Sequence, residues 1–205
     1  MRWLYGRRNR QGQSLVEFAI TLPILMFLVL GMVEMGWAIN HNTTIVTATR
    51  QGARVGAELV NGSNSCADST NAATVDPQII GAVQGVLASS GSPINVSQIT
   101  EIDIYEVDMS TGTPTVTGHQ DAWIPGSGPA LPGSSPTTYL LFKPSGTGSW
   151  TANTRCGNSP ADGLGVRITY TYNFITPLGG LVAAFSSGKI TMTDSTVMAL
   201  EPPTQ

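Results

Sequence analysis

The chain has 205 residues, with 13 acidic and 10 basic side chains and a formal net charge of −3. That length allows one modest domain beyond a membrane segment, and the charge gives no electrostatic footprint for nucleic acid. Charged residues make up only 11% of the chain against 23 glycines and 13 prolines, a composition usual in β-rich extracellular domains.

Residues 1–12 form a short basic leader. Arg2, Arg7, Arg8 and Arg10 lie in it without a single acid. Residues 13–39 follow as a predicted transmembrane helix. No charge falls between Glu17 and Glu34, and nearly every residue there is apolar. A hydrocarbon core about 30 Å thick takes about 20 helical residues, and the run from Phe18 to Ile39 reaches that length if Glu34 sits near one interface. Positive charge stays on the cytoplasmic side, so the leader is expected inside and residues 40–205 outside. Trp3, Tyr5 and Trp37 suit the two headgroup levels. A cleaved secretory signal is the alternative, with Gly36-Trp37-Ala38 as its small-residue site. The length of the apolar run and the unbroken helical pattern past Trp37 favour a retained helix.

Glu17 is the unusual residue of this stretch. A carboxylate near the helix centre costs roughly 2.5–3.5 kcal/mol on insertion scales, and less near an end. It is the fifth residue after Gly12. A peptidase cutting after Gly12 would place the new amine of Gln13 one helical turn from Glu17. The two charges, within one subunit or between neighbours, would then offset each other's burial. The alternative is a Glu17 solvated among headgroups and dispensable.

The basic leader, Gly12, Glu17 and Phe18 resemble the class III prepilin signal of Flp-type pilins and pseudopilins. The run from Gly12 to Ala19, with Leu22-Pro23 after it, resembles the TadE-like family of tight-adherence pilus systems more closely. Ala48-Thr-Arg50-Gln-Gly52-Ala53-Arg54 is similar to that family's segment after the membrane helix, and Tyr172-Asn-Phe174-Ile-Thr176-Pro177 to its aromatic-Thr-Pro strand. Phe18 stands where processed members commonly carry Tyr. The resemblance implies prepilin peptidase cleavage between Gly12 and Gln13, an assembly role for Glu17, and a pilin-like fold in which a helix packs its outer half on an antiparallel sheet. Its implied partners are the cytoplasmic membrane, other pilin or pseudopilin subunits, the assembly machinery and the peptidase.

Beyond the membrane, His41-Asn42-Thr43-Thr44 reads as a polar break at the surface. Ile45, Ala48, Gly52, Val55, Gly56 and Leu59 then share one helical face. The small residues of that face let another backbone approach, either the protein's own sheet or a neighbouring subunit. Arg50 and Arg54 project together as a solvated face, and Asn61-Gly62 ends the helix. Asp76-Pro77 is expected to open a second helix with Asp76 as its cap. Ile79, Ile80, Val83, Val86 and Leu87 form its apolar face, and Gly91 stops it.

Strands come next. Ile99 to Met109 changes phase between Ile104 and Tyr105, as a bulge or a two-sided strand would. Its acids, Glu101, Asp103, Glu106 and Asp108, read either as a charged sheet edge or as a calcium site without EF-hand spacing. Residues 110–163 form a Pro/Gly-rich insertion, mostly loop, with one short strand at Tyr139–Phe142. Val166 to Phe174 alternates cleanly. Leu178 to Phe185 is an apolar connection, and Lys189 to Leu200 a last strand. The expected fold class is therefore α+β: a long helix, a second short helix and an antiparallel sheet.

Cys66 and Cys156 fall in Ser/Asn/Gly-rich stretches on the expected outer side, where a disulfide is the natural state. The chain-entropy model gives such a bridge roughly 4–5 kcal/mol. Two free thiols would require the opposite topology. No CxxC or His/Cys cluster points to a metal, and no nucleophile elbow, phosphate loop or dinucleotide fingerprint points to an enzyme or cofactor. The resemblance, with the basic leader ahead of the helix, implies a TadE-like minor pilin or pseudopilin in the cytoplasmic membrane, N-terminus inside. The alternative is an anchored module whose loop region recognises a surface glycan or a partner protein.

Overall fold

The computed structural model describes residues 11–60, 69–146, 148–150, 155, 162–177, 179–180 and 189–200. The chain divides into two compact units. One comprises Met1–Ala38 and Asn173–Lys189, the other Ile39–Tyr172 and Ile190–Gln205.

Helix α1, Gln11–Val60, supplies residues to both. In the first unit its large apolar side chains point outward, with Leu15 70% and Met32 73% exposed. Nothing in its most apolar 18-residue window is buried. A helix that is hydrophobic all round and left uncovered belongs in a membrane or an assembly, not in water. Pro23 lies inside it. Proline has no N–H, so the carbonyl four residues back, at Ala19, loses its helical donor.

The second unit holds helix α2, Ser69–Leu87, and, but for the end residues Asn173 and Lys189, five strands: β1 Ile99–Asp108, β2 Thr115–Pro125, β3 Phe142–Pro144, β4 Asp162–Asn173 and β5 Lys189–Ala199. They form one antiparallel sheet in the order β3-β2-β1-β4-β5. The α+β arrangement expected from the sequence is the one observed. The core lies between the helices and one sheet face. Ile45, Ala48, Ala53 and Ala57 come from α1, Ile79, Ile80, Val83 and Leu87 from α2, and Ile102, Ile104, Leu164, Val166 and Ile168 from the sheet. The small stripe on α1 serves this core. A Cβ on Gly52 would stand 2.6 Å from Val83, and one on Gly56 2.8 Å from Leu164.

The helical pattern expected to continue past the polar stretch 41–44 does so, and α1 runs through it. The hydroxyls of Thr43 and Thr44 donate to the Asn40 carbonyl, and that of Thr47 to Thr43, so the helix absorbs its own polar side chains. His41 is buried, its ring 5.7 Å from that of Tyr170 and 5.1 Å from that of Tyr172. Thr49, also buried, donates to Asp194 on β5 at 2.6 Å.

Three expectations change. Helix α2 begins at Ser69, before Asp76, with Pro77 inside it. Asp76 does not cap the helix because its carboxylate is engaged by Arg155. Strand β1 is the middle of the sheet and not a charged edge. Its second face is covered: Tyr105 lies over Gly165, which leaves room for the ring by having no side chain. Arg167 reaches Asp103 at 2.7 Å beside it. The phase change appears as a register shift between Tyr105 and Val107 against β2, near Gly118 at φ +92. Finally, the insertion contains a full strand, β2, paired to β1. The strand expected at 139–142 is displaced to β3, with an isolated bridge from Tyr139 to Ala130. Gln84 on α2 ties this segment down by accepting from the Leu141 N–H at 2.7 Å.

Candidate functional site

Glycine at position 12 and Gln13 lie in the first turn of α1. The Gln13 side-chain amide donates to Glu17 Oε1 at 3.4 Å, so this turn brings the two residues together. Glu17 and Phe18 are exposed, as are the apolar side chains around them. The arginines of the leader, Cys66, Cys156, Asn61-Gly62 and most of 178–185 lie outside the described residues.

Glu34 behaves differently. It is only 5% exposed, although Val33 and Met35 beside it are largely uncovered. Its Oε1 accepts the N–H of Ile175 at 3.0 Å and its Oε2 that of Thr176 at 2.9 Å. Hydrogen bonds to a charged acceptor are about twice as strong as neutral ones. The carboxylate is thereby solvated by backbone, and the irregular segment that begins at Phe174 is held against α1. The sequence marks Glu34 only as an acid ending an uncharged run. Its partners are 141 and 142 residues away, and no local pattern announces them.

The second unit contains a buried ionic cluster. Arg155 forks onto Asp76 at 2.5 and 3.1 Å and donates to Asp121 at 2.6 Å and to the Trp150 carbonyl at 3.0 Å. The Trp150 N–H donates to Asp121 at 3.2 Å, and the guanidinium lies 4.4 Å from the centroid of the Trp150 ring. Burial, and then repulsion from Asp76, push the Asp121 carboxyl up to about 6 against the pull of Arg155. A cavity of about 380 Å³ adjoins the cluster, walled by Pro77, Pro129, Pro144, Trp123 and Trp150. Both oxygens of each carboxylate already accept a protein donor. The cluster therefore joins α2 and β2 to Trp150 and Arg155, and its carboxylates are engaged by protein donors. Its members are distant in sequence, and only Asp76 was singled out there, for another role. On β2, His119 and Thr117 both meet Glu106, each at 2.6 Å. Among the described residues no group of three His, Cys, Asp or Glu side chains could hold a metal ion.

A bare apolar helix joined to an α+β sheet domain defines a class of protein suited to anchoring at a membrane. Residues 12–54 match the family model described as TadE-like protein, so this segment is similar to that family. The match takes in Gly12, Glu17, Pro23, Glu34, Ala48 and Gly52, and ends before Gly56 and α2. No curated protein and no solved structure matches the chain.

Proposed function

We propose that the protein is a membrane-anchored minor pilin or pseudopilin that assists assembly of a tight-adherence, Flp-type pilus. The TadE-like match over residues 12–54 carries this reading. The exposed apolar length of α1 supports it, because a soluble protein would leave no such surface in water. In this reading residues 13–39 cross the cytoplasmic membrane, the leader stays inside and the sheet domain stands outside. Prepilin peptidase cuts between Gly12 and Gln13, and the new amine pairs with Glu17 during assembly. Cys66 and Cys156 form a disulfide in the outer compartment. The role is structural and not catalytic.

The test is co-purification of pilus components with variants, alongside the N-terminal residue of the membrane-bound product. Glu17→Leu should insert at least as well as wild type, since it removes a charge from the apolar helix. It should nevertheless fail to co-purify with the other subunits. Gly12→Leu should act earlier and leave an uncut precursor. A wild-type N-terminus at Met1, together with normal assembly of Glu17→Leu, would overturn the prepilin reading and leave only the anchor.

A further inference from the structure

We infer that residues 174–177 are a second membrane-contacting element, seated in the outer lipid interface beside α1 and held there by Glu34. The inference rests on the anchor reading and adds a surface to it. Three observations carry it.

Glu34 is buried within a length of α1 whose large apolar side chains are exposed, and its carboxylate accepts the N–H groups of Ile175 and Thr176. A carboxylate at the edge of hydrocarbon needs donors, and irregular backbone at membrane depth needs acceptors. Each supplies the other here.

The neighbouring backbone is satisfied in the same way. Pro177 has no N–H, while Gly179 donates to the Thr176 carbonyl at 3.0 Å and Gly180 to the Pro177 carbonyl at 3.1 Å. Every described N–H from Ile175 to Gly180 therefore has an internal acceptor, which a water-exposed loop does not require.

The side chains complete the case. Ile175 is 60% exposed, Pro177 is exposed and Phe174 half-buried. From Phe174 to Phe185 the sequence holds no charged residue. On α1 the same level is flanked by exposed Met32, Met35 and Trp37. The apolar belt of the helix thus continues onto the segment, and a lipid interface is the partner that accepts both. A tryptophan at this level suits the headgroup region.

The experiment places photoreactive benzoylphenylalanine at Ile175 of the full-length protein, in vesicles of phosphatidylethanolamine and phosphatidylglycerol. The same probe at Met32 and at Thr193 provides the controls. Irradiation followed by mass spectrometry should give lipid adducts at positions 32 and 175 and none at 193. Glu34→Ala should lower the adduct at 175 several-fold and leave that at 32 unchanged. Adducts at 32 without any at 175, or protein cross-links replacing lipid at 175, would overturn this inference alone. No adduct at either position would overturn the anchor reading beneath it.

Discussion

Between Leu15 and Trp37, helix α1 turns large apolar side chains outward; between Ile45 and Ala57 it turns alanines and glycines inward. Among the described residues nothing lies over the glycines of the first length: a Cβ on Gly31 or Gly36 would meet no atom within 4 Å. The second is closed upon by α2 and the sheet within van der Waals distance. One secondary structure therefore meets two solvents. Where lipid is the expected solvent, bulk faces out and backbone closeness is unnecessary. Where the protein's own core is the solvent, bulk comes from the partners and the helix supplies room. The two glutamates follow the same division. Glu17, near the start, accepts from the Gln13 side chain and is exposed, whereas Glu34 is buried and accepts from two backbone donors.

The largest expected effect separates those glutamates. Glu34→Ala leaves two backbone N–H groups without their acceptor, at about 1–3 kcal/mol for each buried donor. Hydrogen exchange at Ile175 and Thr176 should accelerate strongly in the full-length protein in detergent. Glu17→Ala should leave the same amides unchanged. Equal protection at Ile175 and Thr176 in both variants would erase the distinction.

Next comes the contrast between glycines. Gly56→Leu drives a side chain into Leu164 and Ile79, whose atoms stand 2.8 and 2.9 Å from a modest Cβ. Overpacking of this kind costs about 1–3 kcal/mol. Gly31→Leu meets open space and replaces the poorest helix former but proline, a gain of up to about 1 kcal/mol. Thermal unfolding in detergent should fall for the first and hold or rise for the second. A fall of similar size for Gly31→Leu would mean that a partner already covers that face.

These contrasts mark what the sequence can express. The stripe from Ala48 to Gly56, the alternation of β4 and the apolar face of α2 are local periodicities, and each reappears in the core. Strand β2 escapes the pattern because its first six residues are exposed, and a stretch buried on neither face has no alternation to read. Asp76-Pro77 misled because the same dipeptide serves a helix start and, with a buried cation nearby, a helix interior. That cation, Arg155, lies 79 residues away. Glu34 was legible as a boundary but not as a clasp. The Thr-Pro segment it holds was legible as a motif but not as its partner. Contacts this distant are written in the fold and not in any window of sequence.

The third prediction concerns acid. Asp121 is raised from 3.8 to about 6 by burial and by Asp76. A carboxyl raised in the folded state contributes stability that is fully present below about pH 4 and is lost as pH rises through about 6. The second unit should therefore gain stability from this group between neutral and mildly acidic pH. Asp121→Asn should flatten that part of the pH profile of thermal unfolding. An unchanged slope would mean that Arg155 already holds Asp121 ionised throughout.

The smallest expected effect is on the exposed side of the second length of α1. Arg54 donates to Glu58 at 3.0 Å, with both side chains more than 60% exposed. Exposed pairs four residues apart contribute about 0.3–0.5 kcal/mol, and the order with the cation first is the weaker one. Arg54→Ala should therefore shift unfolding by no more than about 0.5 kcal/mol. It should also leave co-purification with pilus components intact, because a solvated face has no partner to lose. Unchanged unfolding together with lost co-purification would give a different answer. The buried stripe between Ala48 and Gly56 would still belong to the protein's own core, but the arginine face behind it would belong to another subunit. The second length of α1 would then have two partners where the glycines reveal one.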